Sequence, residues 1–257
     1  MKKKEKRLAE LYQYINSFEY ISINDLMMQF NVSKSTIVRD LDMLARQELI
    51  ERFHGGARAL SDERVTKFNI REKINEEKKI LIAREAAKLV KNHDTIYLDT
   101  GSTCFLLYKE ITATDITIFT PNLAIINYTP RSNISHLYAL EGEVSQNNYS
   151  LGGNLTLENM KRIFPEKMFF SAIGLKKSNS CEIQCANEIQ VSTIRTLCEM
   201  QGEKILLLDS SKIGVHKTFQ GNSIKDIDTV IIDNNVISDE ISNIKFNTKN
   251  LILADES

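Results

Sequence analysis

The chain has 257 residues, 42% hydrophobic and 26% charged, with 33 Lys and Arg against 34 Asp and Glu for a net charge of −1. This composition allows two globular domains and excludes both a disordered chain and one coated in basic surface. No apolar run reaches the ~18 residues of a membrane span, and Met1 to Arg7 lead into an amphipathic pattern rather than an apolar signal core, so a cytoplasmic protein with no membrane partner is expected.

Leu8, Leu11, Tyr12 and Ile15 recur at helical spacing and predict a first helix ending near Ser17. A second, from about Ile23 to Phe30, buries Ile23, Leu26, Met27 and Phe30, and Asn31-Val32-Ser33 breaks it. Ser33 is a suitable N-cap for a third helix to about Gln47, lined by Ile37, Leu41 and Leu44. Leu49 to Phe53 predicts a strand, Gly55-Gly56 a tight turn, and Ala57 to Leu60 the returning strand of a β-wing.

The apolar pattern lapses over residues 61–75, the expected linker, before a helix from about Glu76 to Lys91. Beyond it, strands are predicted at Thr95 to Asp99, Ile116 to Thr120, His136 to Leu140, Met168 to Ile173, Lys204 to Asp209, Thr229 to Asp233 and Leu251 to Ala254. Helices are predicted near Thr103 to Glu110, Asn122 to Asn127 and Ala186 to Gln201. Short apolar strands alternating with helices define an α/β unit with a mostly parallel sheet covered on both faces. The division is therefore 1–60, 61–75 as linker, and 76–257.

Cys104, Cys181, Cys185 and Cys198 form no CxxC pair, and no His completes a zinc set, so reduced thiols are expected, without metal or cofactor. Residues 1–60 carry 10 Lys and Arg against 8 Asp and Glu, and residues 61–257 carry 23 against 26, too small an asymmetry to decide a partner. The order of elements does decide one. Helix, short helix, turn, third helix and wing place Lys34, Ser35, Thr36 and Arg39 opposite the apolar stripe, where the first turns of a recognition helix meet base edges of double-stranded DNA. Arg39 is the best candidate for reading a guanine, because its fork engages two acceptors at once. Arg52, His54 and Arg58 of the wing are expected on phosphate or in the minor groove, fixing register. Taken singly, each of these residues favours the solvated face of a helical oligomerisation cap, and it is their ordered combination that points to DNA.

Two polar loops follow apolar strands of the second domain. Asp99-Thr100-Gly101-Ser102-Thr103 opens a helix, where hydroxyls and amides can cradle a phosphate or only cap the helix. Asp209-Ser210-Ser211-Lys212 adds a lysine that is either solvated or a point charge for an anion.

Val32-Ser33-Lys34-Ser35-Thr36-Ile37-Val38-Arg39-Asp40-Leu41, followed by Leu49 to Phe53 and His54-Gly55-Gly56-Ala57, resembles the signature of DeoR-family repressors. Val38 stands where that family commonly carries a second arginine. The resemblance extends through Phe169 to Gly174 and Asp228 to Asp233, and implies a sensor domain similar in fold to ribose-phosphate isomerase. It implies effector contacts at Asp99, Thr100, Gly101, Ser102, Thr103, Thr120 and Lys212. Thr120-Pro121-Asn122 and Leu140-Glu141-Gly142-Glu143 depart from the family pattern, and Glu141 would set a carboxylate near the expected phosphate unless it points away. The Phe-Phe-Ser strand and the Ser-Ser-Lys-Ile-Gly loop lean toward the lactose-phosphotransferase repressor branch, which implies phosphorylated tagatose or a similar hexose phosphate.

The function implied is a homo-oligomeric repressor, dimer or tetramer, that leaves operator DNA when a phosphorylated sugar binds. One alternative is a sugar-phosphate isomerase with a fused DNA-binding head, but no acidic cluster lies around Ala172 to Leu175, and Glu182 and Glu188 are the nearest carboxylates, so no catalytic residue is assigned. The other alternative is a regulator that needs no ligand.

Overall fold

Leu11 and Ile15 are fully buried on one face of α1 (Lys2–Ile15), as their spacing requires. The structure, a computed structural model, describes residues 2–15, 18, 20–46, 49–59, 68–128, 131–146 and 148–255. It divides into two compact units, residues 1–74 and 75–257. Ser17, Gln47, Leu60 and residues 61–67 of the expected linker lie outside the described residues.

In the first unit, β1 (Ile21–Ser22) leads into α2 (Ile23–Phe30), whose N-cap Ser22 accepts from the Asp25 amide. Asn31 ends α2 in the left-handed region at φ 47°, the turn of the helix-turn-helix. Ser33 accepts from the Thr36 amide at the start of α3 (Lys34–Arg46). β2 (Ile50–Phe53) and β3 (Gly56–Ala59) form the wing, and the two-residue β1 pairs with β3 to complete an antiparallel sheet. Ile37, Leu41 and Leu44 of α3 pack with Leu8, Leu11, Ile15 and Leu26 in one core. A short α4 (Phe68–Lys73) occupies the end of the expected linker, and the buried Phe68 is its anchor. Six residues are too few to give a legible helical period.

The second unit begins with α5 (Glu76–Leu89), β4 (Thr95–Leu98), α6 (Ser102–Glu110), β5 (Ile116–Thr120), α7 (Leu123–Ile126) and β6 (Ile134–Ala139). A hairpin of β7 (Glu143–Ser145) and β8 (Ser150–Gly152) then precedes α8 (Asn154–Met160) and β9 (Lys167–Ser171). Next come β10 (Gly174–Leu175), β11 (Glu182–Cys185), α9 (Glu188–Glu199) and β12 (Glu203–Leu208). The chain closes with β13 (Phe219–Ser223), β14 (Thr229–Asp233), α10 (Ser238–Asn247) and β15 (Asn250–Ala254).

Seven strands form a parallel sheet in the order β15-β14-β12-β9-β4-β5-β6. Its middle is a continuous apolar layer, with Tyr97, Leu98, Phe169, Phe170, Leu206 to Leu208 and Val230 to Ile232 almost inaccessible, as strands covered on both faces require. The hairpin, the small β10-β11-β13 sheet, α8 and α10 were not expected, because their strands are short and their helices largely polar. All four cysteines are unbridged, and burial pushes Cys185 up to about 11 and Cys198 up to about 12. Among the described residues, no helix is long and apolar enough to cross a membrane.

Candidate DNA-reading head and sensor site

On α3, Lys34, Ser35 and Arg39 are exposed and Thr36 is half-buried, while Ile37 and Leu41 face the core. The Ser33 hydroxyl lies 3.0 Å from those of Ser35 and Thr36, so the first turn is braced by its own side chains. Val38 is half-buried against the core, which explains an apolar residue there. Asp40, beside Arg39, is inaccessible and accepts the Arg7 guanidinium at 2.7 and 3.2 Å, fastening α1 to the recognition helix. The Arg–Asp–Leu run thus presents Arg39 to solvent and anchors inward with the other two.

The wing arginines are already partnered. Arg52 is hydrogen-bonded to Asp42 of α3, and Arg58 to Glu51 at 2.6 and 2.9 Å while lying 5.0 Å over the Phe53 ring. His54 is exposed at the turn. Gly55 holds φ 89°, and a Cβ on Gly56 would come within 2.4 Å of the Ile21 carbonyl oxygen, so both glycines have a backbone reason. Arg52 therefore ties the wing to the recognition helix, and each wing arginine would have to exchange its carboxylate to take a phosphate.

The second site lies where the strand order reverses. From β4 the chain adds β5 and β6 on one side, and β9, β12, β14 and β15 lie on the other, so the switch falls between β4 and β9. Ligands of open α/β sheets bind in the crevice beyond the strand ends at such a point. There β4 delivers Asp99 to Gly101 and the N-terminus of α6, β9 delivers Ser171, and β12 delivers Asp209 to Lys212. A Cβ on Gly101 would stand 2.0 Å from the Ser171 hydroxyl, which measures how closely the two strand ends approach.

Asp99, Ser102 and Thr103 are buried, and Thr100 is half-buried. The Tyr97 hydroxyl donates to Asp99 at 3.0 Å; burial and the Asp99 charge raise this phenol well above its ordinary value, keeping it a donor. Thr120 is placed differently from a surface ligand contact. It is inaccessible, its hydroxyl donates to the Leu98 carbonyl at 2.6 Å and accepts from the Asn122 amide, and Asn122 donates to the carbonyls of Asp99 and Gly101. Thr120 and Asn122 thus shape the 99–101 loop from beneath. Pro121 lies buried between them, and Glu141 is exposed.

Lys79 was missed by sequence reasoning. It is 3% exposed, and its ammonium lies 3.2 Å from the Ser102 hydroxyl. Lys212 is 3.8 Å from Asp209. Burial pushes the Asp209 carboxyl up, but the charges of Lys212 and Lys79 and hydrogen bonds from Ser211 and Asn75 outweigh it and hold the group below its ordinary value. Lys78 donates to the Ser210 hydroxyl at 2.7 Å, and the inaccessible Asp233 accepts from the amide and hydroxyl of Ser210, pinning the base of the loop. The nearest carboxylate expected from sequence, Glu182, accepts from Ser178 and Ser180, and these hydrogen bonds lower its value.

A helix-turn-helix with a wing in one unit, and a polar crevice at the switch point of a parallel sheet in the other, define a two-part DNA-binding transcription regulator. Residues 7–63 match the DeoR-like helix-turn-helix domain and residues 74–234 the DeoR C terminal sensor domain. The chain belongs to the DeoR family, whose members repress sugar operons. It is 31% identical over 235 residues to the lactose phosphotransferase system repressor of Staphylococcus epidermidis, covering 89% of this chain and 92% of that protein. It is 33% identical over 233 residues to the HTH-type transcriptional regulator GolR of Listeria innocua, covering 90% and 91%. Among solved structures, ribose 5-phosphate isomerase A from Methanocaldococcus jannaschii aligns over 54% of this chain and 55% of that one, with 19% identity and a TM-score of 0.37.

Proposed function

We propose that this protein is a cytoplasmic, homo-oligomeric repressor of a sugar-metabolism operon, released from its operator by a phosphorylated sugar. Lys34, Ser35, Thr36 and Arg39 read the major groove, His54 and the wing arginines set the register, and paired heads engage half-sites about one helical turn apart or a multiple of it. In the sensor, the phosphate takes the α6 N-terminus at Gly101 to Thr103 together with Lys79 and Lys212, and sugar hydroxyls donate to Asp99 and Asp209. The observation that carries this reading is Lys79, a buried lysine aimed at the first turn of α6 beside Asp209. An ammonium leaves water at a cost of several kcal/mol; the Asp209 charge offsets part of that cost, and a bound phosphate would add a second counter-charge.

The regulator names of the similar proteins favour sensing over conversion. Asp209, held ionised by two lysines and by hydrogen bonds from Ser211 and Asn75, is an acceptor for a sugar hydroxyl. The resemblance to the lactose-phosphotransferase branch supports a hexose phosphate such as tagatose 6-phosphate.

The test is a thermal-shift series of the purified chain against hexose phosphates. A ligand that binds the folded state raises the melting temperature with its concentration. At least one hexose phosphate should do so in the wild type, and Lys212→Ala should weaken its binding ~10-fold or more, equivalent to ~1.4 kcal/mol. No shift with any hexose phosphate, or an undiminished shift in Lys212→Ala, would remove the site.

A further inference from the structure

Asn75 is the residue at which the sensor unit begins, immediately after the last residue of the DNA-reading unit. It holds a left-handed backbone, φ 52° and ψ 35°, at the N-cap of α5. A side chain at this position ordinarily accepts from the free amides of the helix it precedes, and this one makes no such cap. Its amide instead donates to Asp209 at 3.0 Å and to Ser211 at 2.8 Å. Its carbonyl accepts from the Lys79 amide at 3.0 Å, so the turn bearing Lys78 and Lys79 hangs from the same residue.

We infer that Asn75 transmits effector occupancy to the DNA-reading unit, its two hydrogen bonds to the 209–211 loop fixing the direction in which the chain leaves the sensor. The inference rests on the proposed placing of the effector beside Lys212 and Asp209. An anion draws the Lys212 ammonium from its loose 3.8 Å approach to Asp209, and a sugar hydroxyl takes up the carboxylate. Ser210 remains pinned by its hydrogen bonds to Asp233, so the rearrangement falls on Asp209, Ser211 and the amide that bridges them. Without that bridge the left-handed turn at Asn75 is held only by asparagine's own tolerance of that region and by the Lys79 amide on its carbonyl, so other backbone conformations become accessible. A change of φ and ψ there turns the chain entering at residue 74. The ligand thereby binds two backbone states unequally, which a shift in operator affinity requires.

The experiment uses the full chain, the hexose phosphate giving the largest wild-type thermal shift, and an operator duplex selected by the wild type from random sequence. Fluorescence anisotropy measures operator Kd with and without saturating ligand, and calorimetry measures ligand Kd. Asn75→Gly keeps the left-handed turn and removes the amide, and Ser211→Ala removes one of its acceptors. Ligand should weaken wild-type operator binding 10-fold or more. Both variants should bind ligand within about threefold of wild type; lacking an intact bridge, they should bind operator more weakly than wild type even without ligand, so that their ratio of operator Kd values falls below about threefold. A wild-type ratio retained in both variants, or loss of ligand binding in Asn75→Gly, overturns the role of Asn75. Absence of any ligand shift in the wild type overturns the site itself and this inference with it.

Discussion

Lys79 stands in a place that its helix otherwise gives to apolar side chains: residues 79, 82, 83 and 86 follow the i, i+3, i+4, i+7 stripe, and Ile82, Ala83 and Ala86 are fully buried. A charge inside an apolar stripe is the signal that the sequence offers for it. Removing one partner of a buried charge pair leaves the other uncompensated and costs ~3–5 kcal/mol, and Asp209 is a buried carboxylate that Lys79 helps to hold ionised. Lys79→Met should therefore lower the melting temperature and also weaken hexose-phosphate binding ~10-fold or more, with thermal unfolding and calorimetry as the paired readouts. Undiminished hexose-phosphate binding in the folded variant would make Lys79 purely structural. Asp209 supplies a pH test. Its folded value lies below the ordinary ~3.9 of an aspartate, so its stabilisation is present above that ordinary value and is lost as pH falls through the depressed folded value. Urea unfolding between pH 6 and pH 2.5 should show a shallower acid loss for Asp209→Asn than for wild type. Thr120 shows the opposite limit of sequence reading: its place in the chain was legible, but only the structure shows its hydroxyl already committed to Leu98 and Asn122.

At the scale of elements, legibility followed length and apolar content. α2 is legible over its observed span, as are β5 and β14, because a compact apolar run marks each of them. The wing was legible from its glycines, and the structure adds the reason. Gly56→Ala would drive a Cβ toward the Ile21 backbone oxygen, which cannot rotate away, so the β1–β3 pairing must give. Overpacking of this kind costs ~1–3 kcal/mol. The variant should bind operator DNA more weakly while its thermal response to a hexose phosphate is unchanged; equal operator affinity would show that the wing makes no contribution. What stayed hidden were β1, the β7–β8 hairpin, the β10-β11-β13 sheet, α4, α8 and α10, elements too short or too polar to show a period.

Over the whole molecule, the family was legible because the order of helices, turn and wing is itself a pattern, carried by adjacent residues such as Arg39, Asp40 and Leu41. The sensor site was legible only as two separate loops. Its assembly depends on a strand order that sets β9 between β4 and β12, and on Asn75 and Lys79 reaching it from the N-cap and first turn of α5, relations that no local spacing encodes. The central claim is that one chain reads DNA through α3 and releases it when a sugar phosphate fills that site. It is tested most directly by titrating the selected operator duplex with wild type and Arg39→Ala, each with and without a saturating hexose phosphate. The account predicts at least 10-fold weaker wild-type binding with the ligand. It also predicts a ~5- to 150-fold loss in Arg39→Ala without ligand, from the ~1–3 kcal/mol of one bidentate base contact. Operator affinity indifferent to every hexose phosphate, or undiminished in Arg39→Ala, would contradict it.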